Sequence, residues 1–291
     1  MPVCINDNNK NYSGKEKSPL GLGYSATNEP LNKIMLGKDN ECYIVKLVKS
    51  TGEHKWSKIN DLEDFFNNLP EEYYNKGYIP KCSKINEETG LEEKFGGKYP
   101  FFVKGEKWPS KGNYHMTFFC QLKDPRKNDN ILYRVFILID DNDINDDFWI
   151  TKIELNDENI KNQVLIKKPK YPDEFFDRYS KEEIFEPYQI NSWKVFNDIK
   201  NYNYLRQHFC IPDYIYQGNN TLYNKFSDAY HSNGPKPGIK VGGTPLSTQD
   251  QEFVQSFDFL QIEYSTVLPY MWGDVGIAHV SDDCDFTWDC C

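Results

Sequence analysis

The chain has 291 residues, a formal net charge of −10 and 15% aromatic residues. Its length allows one large domain or two small ones, and its aromatic content excludes a disordered chain. The acidic balance argues against a nucleic-acid-binding protein, because counterion release requires clustered Lys or Arg, and basic stretches such as Lys161 to Lys170 are short and interrupted.

No charged leader with a following apolar stretch opens the sequence, and no apolar run approaches about 18 residues. We therefore expect neither a secretory signal nor a membrane span. Without a secretory signal, the eight cysteines are expected to be reduced thiols.

Residues 1–60 are predicted to form a small N-terminal β-hairpin module. Apolar residues alternate with Lys in Cys42-Tyr-Ile-Val-Lys-Leu-Val-Lys49, and the pattern resumes in Glu53-His-Lys-Trp-Ser-Lys-Ile59. A Gly-containing turn, Ser50-Thr-Gly52, lies between them. This arrangement is typical of two paired strands with one face in water.

Residues 61–90 are predicted to be a helical linker. Asn60 stands where an N-cap is expected, and acidic residues and an apolar stripe follow it. The helix is expected to end before Pro70 or Gly77, since both residues disfavour a helix interior.

Residues 91–291 are predicted to form one domain with two halves, 94–167 and 240–291, and a helical insert at 171–233. The last helix of the insert is expected to stop at Asn233-Gly234. Runs bounded by Asp, Asn, Gly or Pro predict the strands of the first half, at Tyr114–Leu122, Ile131–Ile139, Trp149–Leu155 and Asn162–Lys167.

One motif occurs twice in this domain. Lys94-Phe-Gly-Gly-Lys-Tyr-Pro100 is followed by Phe119-Cys-Gln-Leu122, and Lys240-Val-Gly-Gly-Thr-Pro245 is followed by Leu260-Gln-Ile262. A paired glycine before a proline requires positive φ or a close approach to another strand, and a Gln between apolar residues is typical of a strand. The pattern predicts an internally duplicated fold.

Five further motifs accompany the two above: Lys107-Trp-Pro109, Met116-Thr-Phe-Phe-Cys-Gln121, Thr248-Gln249, Phe259-Leu-Gln-Ile262 and Met271-Trp-Gly-Asp-Val-Gly276. With these motifs, residues 90–291 resemble the YwqG-like family of uncharacterised domains. The resemblance implies an α+β, β-rich fold with a pseudo-twofold internal repeat and intervening helices, and it transfers no catalytic residues.

The N-terminal segment contains four further characteristic stretches: Tyr12–Tyr24, Gly37-Lys-Asp-Asn40, Tyr43-Ile-Val45 and Lys55-Trp56. In these residues it resembles a short module that recurs in proteins of giant, mimivirus-like DNA viruses. A viral origin implies that the protein acts in the cytoplasm of an infected host or is packaged in the virion.

Five residues are candidates for ligand binding: Gln121, Lys240, Gln261, Trp272 and Asp274. They could line a groove between the two repeats, because repeat interfaces are common places for pockets. The alternative, which we favour, is structural: the two amides satisfy backbone groups beside the Gly-Gly turns, and Asp274 caps a turn.

No metal site and no cofactor are predicted. The only soft-ligand cluster is His279, Cys284, Cys290 and Cys291, and consecutive strand side chains such as the last two point to opposite faces. The acidic stretches 140–143 and 146–147 lack the ordered ligands and the glycine of an EF-hand, so a solvated loop is expected there.

No catalytic motif is found, so we expect a non-enzymatic binding or structural accessory protein with a protein partner. Its interface is expected on an aromatic surface around Trp108, Trp149 and Trp272, because exposed aromatic residues anchor protein contacts. The alternative is an enzyme or a small-ligand sensor whose site lies between the repeats.

Overall fold

A computed structural model describes residues 1–112, 114–138, 148–169, 185–212, 221–249 and 253–290. Within these residues the fold is rich in β-strands, and no helix is long and apolar enough to cross a membrane. Cys291 and the acidic stretch 140–147 lie outside the described residues. The chain divides into two compact units, one of Met1–Tyr74 with Ile199–Pro235 and one of Asn75–Asp198 with Lys236–Cys291.

The first unit contains a three-stranded antiparallel sheet with the strands β1 (Ile34–Leu36), β2 (Cys42–Val48) and β3 (Glu53–Lys58) in sequence order. β2 and β3 pair with Val45 opposite Trp56, and both side chains are buried. The turn between these strands has Gly52 at positive φ, as a tight connection requires.

The described helices are α1 (Leu62–Asn67), α2 (Asp157–Lys161), α3 (Tyr202–His208) and α4 (Thr221–Asn233). α1 begins one residue later than expected, because the carboxylate of Asp61 rather than the side chain of Asn60 accepts the first free backbone N–H groups. In the core of the first unit, Phe66 of α1 packs edge-to-face against Phe226 of α4, at 5.0 Å between ring centroids. α4 ends at Asn233, and this confirms the expected helix end.

The second unit is organised around one ten-stranded sheet. Its strands are β4 (Tyr74–Lys84), β5 (Lys94–Phe95), β9 (Thr117–Lys123), β10 (Ile131–Ile137), β11 (Phe148–Glu154), β13 (Tyr188–Ile199), β14 (Lys240–Gly242), β15 (Leu260–Glu263), β16 (Ile277–Val280) and β17 (Phe286–Asp289). They are ordered β11-β10-β9-β5-β13-β4-β14-β15-β16-β17. The two edge strands approach each other, and Phe148 of β11 stacks on Phe286 of β17.

Two short ribbons accompany the sheet: β6 (Phe102–Val103) pairs with β12 (Gln163–Val164), and β7 (Ser110–Lys111) pairs with β8 (Tyr114–His115). The core on one side of the sheet includes Phe95, Leu122, Val135 and Leu260, all fully buried. Cys120 is fully buried in the same core, in keeping with its place in an apolar strand pattern.

Two segments differ from the sequence-based expectation. The linker at 61–90 contains β4 as well as a helix, and the insert at 171–233 contains β13. Both strands lie at the centre of the sheet, where neighbours on either side supply the hydrogen bonds that keep them extended. The helical faces expected around Phe175 to Tyr179 lie outside the described residues.

Candidate functional site

A row of polar side chains crosses one face of the sheet in the second unit. Lys94 on β5 lies opposite Gln121 on β9, Gln121 lies opposite Arg134 on β10, and Arg134 lies opposite Thr151 on β11. Directly opposed residues of antiparallel strands project to the same face. These four side chains therefore form a continuous first row.

A second row crosses the strands at the other end of the sheet. Lys240 on β14 lies opposite Gln261 on β15, Gln261 lies opposite His279 on β16, and His279 lies opposite Thr287 on β17. The second row thus has the order Lys, Gln, His, Thr where the first has Lys, Gln, Arg, Thr. The rows differ only at the third position.

The lysines of both rows are fully buried and make the same kinds of contact. Each donates to one carboxylate and to one backbone carbonyl: Lys94 to Glu88 Oε2 (2.6 Å) and Tyr99 O (2.8 Å), and Lys240 to Asp198 Oδ2 (2.5 Å) and Thr244 O (2.6 Å). Burial lowers the pKa of Lys240 below its ordinary value, and the attraction of Asp198 offsets this only in part. The hydrogen bonds of the two lysines therefore stabilise the turns that cover the rows.

The two glutamines also have matching partners. Each side-chain oxygen accepts a hydrogen bond from the backbone N–H of the residue after the proline, and each side-chain nitrogen donates to two backbone carbonyls that precede the lysine in sequence. Gln121 accepts from Phe101 N (2.7 Å) and donates to Gly90 O (2.9 Å) and Glu92 O (2.7 Å). Gln261 accepts from Leu246 N (2.9 Å) and donates to Gly238 O (3.0 Å) and Lys236 O (3.5 Å). These contacts are those of a structural amide, as the alternative interpretation of the sequence expected.

The paired glycines adopt positive φ in both motifs, at Gly96 and Gly97 and at Gly242 and Gly243, as the sequence predicted. A Cβ atom on the second glycine of either pair would collide with the carboxylate that holds the lysine, which is Glu88 at Gly97 and Asp198 at Gly243. Glycine is required at these turns by conformation and by space.

The five predicted ligand-binding residues do not come together in one place. Four strands separate β9, which carries Gln121, from β15, which carries Gln261. Trp272 is buried in the core against Phe119, and Asp274 is exposed to solvent. The structure therefore gives Gln121, Gln261 and Lys240 structural partners and leaves Asp274 on the surface.

The weak metal candidates do not form a cluster among the described residues, where no group of three His, Cys, Asp or Glu side chains could hold an ion. His279 is fully buried, and within the described part of the chain neither ring nitrogen makes a hydrogen bond of ordinary geometry. Burial lowers the pKa of His279 to about 4 against the opposing field of Asp289. Its imidazole is therefore neutral at pH 7.

A pocket of about 480 Å³ opens at the end of the first row, and we call it the aromatic pocket. Its walls are Phe102, Trp108, Phe136 and Trp149, and its polar groups are Glu106, Lys107, Ser110, Arg134 and Thr151. Its volume lies within the range of ligand sites. Two of the three tryptophans expected at an interface line this pocket.

The tryptophans differ in exposure. Trp149 is 48% exposed, whereas Trp108 and Trp272 are buried, so the expected surface of three tryptophans is reduced to a single exposed ring. Trp108 donates its Nε1 hydrogen to Met116 O (2.8 Å) and offers only an apolar face. Trp149 lies opposite the buried Phe136 on the face that carries Arg134.

Arg134 and Glu106 form an ion pair at the polar end of the aromatic pocket. The guanidinium is only 4% exposed and binds the carboxylate with both terminal nitrogens, at 2.8 and 3.0 Å. It also donates to Phe101 O (2.7 Å) and Thr151 Oγ1 (3.0 Å). Burial opposes the charge on Glu106, but the bonds from Arg134 outweigh it and hold the pKa of this carboxyl below its ordinary value.

Sequence reasoning missed Glu106 and Arg134 as partners. A signal was present, because Arg134 interrupts the apolar run Ile131-Leu-Tyr-Arg-Val-Phe-Ile137. A buried arginine must be paired and hydrogen-bonded, so its position inside a strand of this composition demands an acidic partner. The partner itself lies 28 residues away and is not evident from the local pattern.

Ser110, at the rim of the aromatic pocket, contacts a histidine that does not line the pocket. Ser110 Oγ lies 2.7 Å from His115 Nδ1. Burial and the charge of Lys168 lower the pKa of His115, so its ring is neutral at pH 7.

The first unit contains a second cavity, of about 430 Å³. Its floor is apolar, and its rim carries Asn60, Asp61 and Lys46. Asp61 is already engaged as the cap of α1.

The scan against protein-family models finds no match for this chain, and the search of curated proteins finds no significant relative.

Proposed function

We propose that the chain is a non-enzymatic binding or structural accessory protein that holds a protein partner at the aromatic pocket. The observation that carries this proposal is Trp149, a 48% exposed indole at the mouth of a pocket that ends in a buried arginine. Tryptophan and arginine are the residue types most enriched at the energetic centres of protein interfaces.

A partner that covers the exposed indole removes its apolar area from water, which favours binding. Trp149 makes no ring contact with another aromatic side chain in the described residues, so its free face is open to a ligand. The rigid support beneath it, from Phe136 and the ion pair of Arg134, lowers the entropy lost on binding.

We also propose that the second unit is a duplicated fold of the YwqG-like kind. Support comes from the two rows, with their matching lysines, glutamines and paired glycines, and from the strand order, in which five strands lie on either side of the junction between β13 and β4. A giant-virus origin, with action in the host cytoplasm or the virion, is retained as a proposal on the sequence resemblance alone.

The second candidate function is an enzyme or a small-ligand sensor. The observation that favours an enzyme is the contact between Ser110 and His115, because a serine next to a neutral imidazole is a possible nucleophile and base. Labelling of Ser110 by a fluorophosphonate probe would support this candidate, and we expect none.

Affinity purification from the cells that make the protein tests the proposed function. The wild-type chain is compared with Trp149→Ala and with the matched control Tyr264→Ala, which removes an aromatic ring that is 57% exposed elsewhere in the second unit. We expect a partner that is retained by the control and lost with Trp149→Ala. Equal recovery by all three proteins would contradict the proposed function.

A further inference from the structure

The aromatic pocket has a local charge opposite to that of the chain. Its charged groups are Arg134, Lys107 and Glu106, and the two oxygens of Glu106 are already bound by Arg134. The side chain of Lys107 makes no ion pair or hydrogen bond with the described residues. One positive charge is therefore uncompensated in a protein whose net charge is −10.

Arg134 retains one donor for a ligand. Four of its five N–H groups donate to Thr151, Phe101 and the two oxygens of Glu106, which leaves one N–H of Nη2 without a hydrogen-bond partner among the described residues. A carboxylate is the acceptor that a guanidinium prefers. Lys107 on the same pocket adds attraction for a negative group.

The aromatic pocket is open along one side. Trp149, Lys107 and Ser110 are all exposed at its rim, while Phe102, Trp108 and Phe136 form the buried wall. Small-molecule sites enclose most of their ligand's surface. An open pocket of this shape suits one inserted side chain whose chain continues across the rim.

We infer, on the basis of the proposed function, that the occupant is an acidic peptide segment of a partner protein. One aromatic side chain of the segment packs between Trp149 and the buried wall, and a neighbouring Asp or Glu binds Lys107 and the free N–H of Arg134. The complementarity is electrostatic at the rim and apolar at the centre, as in protein interfaces generally.

Isothermal titration calorimetry with synthetic peptides tests this inference. The probe is a Gly-Asp-Glu-Phe-Asp-Glu-Gly peptide with blocked termini. In a neutral comparison peptide Asn and Gln replace the Asp and Glu residues, in a basic one Lys replaces them, and in a third Ala replaces the Phe. Phenylacetate is titrated as the small-molecule ligand for comparison with the peptides. The protein variants are Trp149→Ala, Lys107→Glu and the control Lys104→Glu, a nearby exposed lysine that does not line the pocket.

We expect the acidic Phe peptide to bind best, with affinity about tenfold lower for Trp149→Ala and about threefold to tenfold lower for Lys107→Glu. Lys104→Glu should change affinity less than Lys107→Glu, since its distance from the pocket weakens the coupling. Circular dichroism verifies that each variant is folded.

Two results would overturn the inference while leaving the proposed function intact. One is a neutral or basic peptide that binds at least as well as the acidic peptide and still requires Trp149. The other is phenylacetate binding as tightly as the peptide, which would assign the pocket to a small molecule. If no peptide or phenylacetate binding depends on Trp149, the inference fails, and the affinity purification decides the proposed function separately.

Discussion

Arg134 and His279 occupy corresponding places in the two polar rows. Each lies opposite a glutamine on one side and a threonine on the other. Each also interacts with a carboxylate that accepts a backbone N–H: Arg134 with Glu106, which accepts from Val103 of β6 (2.8 Å), and His279 electrostatically with Asp289, which accepts from Thr248 (3.1 Å). The same framework thus holds a charged guanidinium in one half and a neutral imidazole in the other.

The substitutions Gln121→Ala and Gln261→Ala should destabilise the protein by similar amounts. Each removes an amide with three backbone partners and leaves those groups buried without a partner, so we expect a loss of about 2–4 kcal/mol for either variant. Because the two strands are far apart in the sheet, the double variant should be additive within about 0.5 kcal/mol.

Urea unfolding at pH 7 measures these losses, with Gln255→Ala, which replaces an exposed glutamine of the second unit, as the control. A large loss of unfolding free energy for one of the two variants and almost none for the other would be inconsistent with matching structural roles of Gln121 and Gln261. It would also weaken the proposed duplication.

His279 should make the protein less stable as the pH falls from about 6.5 to about 4. The folded pKa of about 4 lies below the ordinary value of 6.5, so the unfolded chain binds more protons in this interval and stability is lost on acidification. The full effect is on the order of 3 kcal/mol.

The free energy of unfolding, measured against pH, tests this expectation. His279→Gln should flatten the curve between pH 6.5 and 4, and His231→Gln, which replaces an exposed histidine of α4, is the control variant. An unaltered slope for His279→Gln would mean that the imidazole takes up its proton at the same pH in the folded and unfolded protein, which contradicts a lowered folded pKa.

Glu106→Gln should destabilise the second unit by about 1–3 kcal/mol at pH 7, because it leaves the buried charge of Arg134 uncompensated. The lower part of this range reflects the 29% exposure of the Glu106 side chain. The pKa of Glu106 is lower in the folded protein than in the unfolded chain. The ionised carboxylate therefore stabilises the fold above the unfolded pKa of about 4.3, and this stabilisation is lost as the pH falls through the folded pKa.

Thermal unfolding of Glu106→Gln and Glu186→Gln provides a matched comparison. Glu186 pairs with Lys84 on the surface, where both side chains are more than half exposed, so its replacement should destabilise the protein less than that of Glu106. Equal costs for the two variants would show that the Arg134 pair behaves as an ordinary surface pair.

Local patterns in the sequence predicted much of the fold. The runs at Ile131–Ile139 and Trp149–Leu155 correspond closely to β10 and β11, because their composition and their bounding turns are local signals. The positive φ of Gly97 and Gly243 followed from the paired glycines in the same way.

The central strands were not predictable from local patterns. β4 contains Gly77 and Pro80, residues that weaken a strand interior, and β13 lies in a segment whose surroundings favour helices. Their extended conformation is imposed by neighbouring strands that are distant in sequence. For the same reason, the sequence indicated Trp108 and Trp149 but not the pairing of Arg134 with Glu106.

The ¹⁵N–¹H spectrum of the Trp149 indole during titration with the acidic Phe peptide is the most direct test of the aromatic pocket as a binding site. Trp149→Phe assigns the resonance, and the five other indoles serve as internal references. We predict that the Trp149 signal shifts progressively and saturates, while the buried Trp272 signal does not move. A Trp149 resonance that remains unchanged at saturating peptide would contradict binding at this pocket.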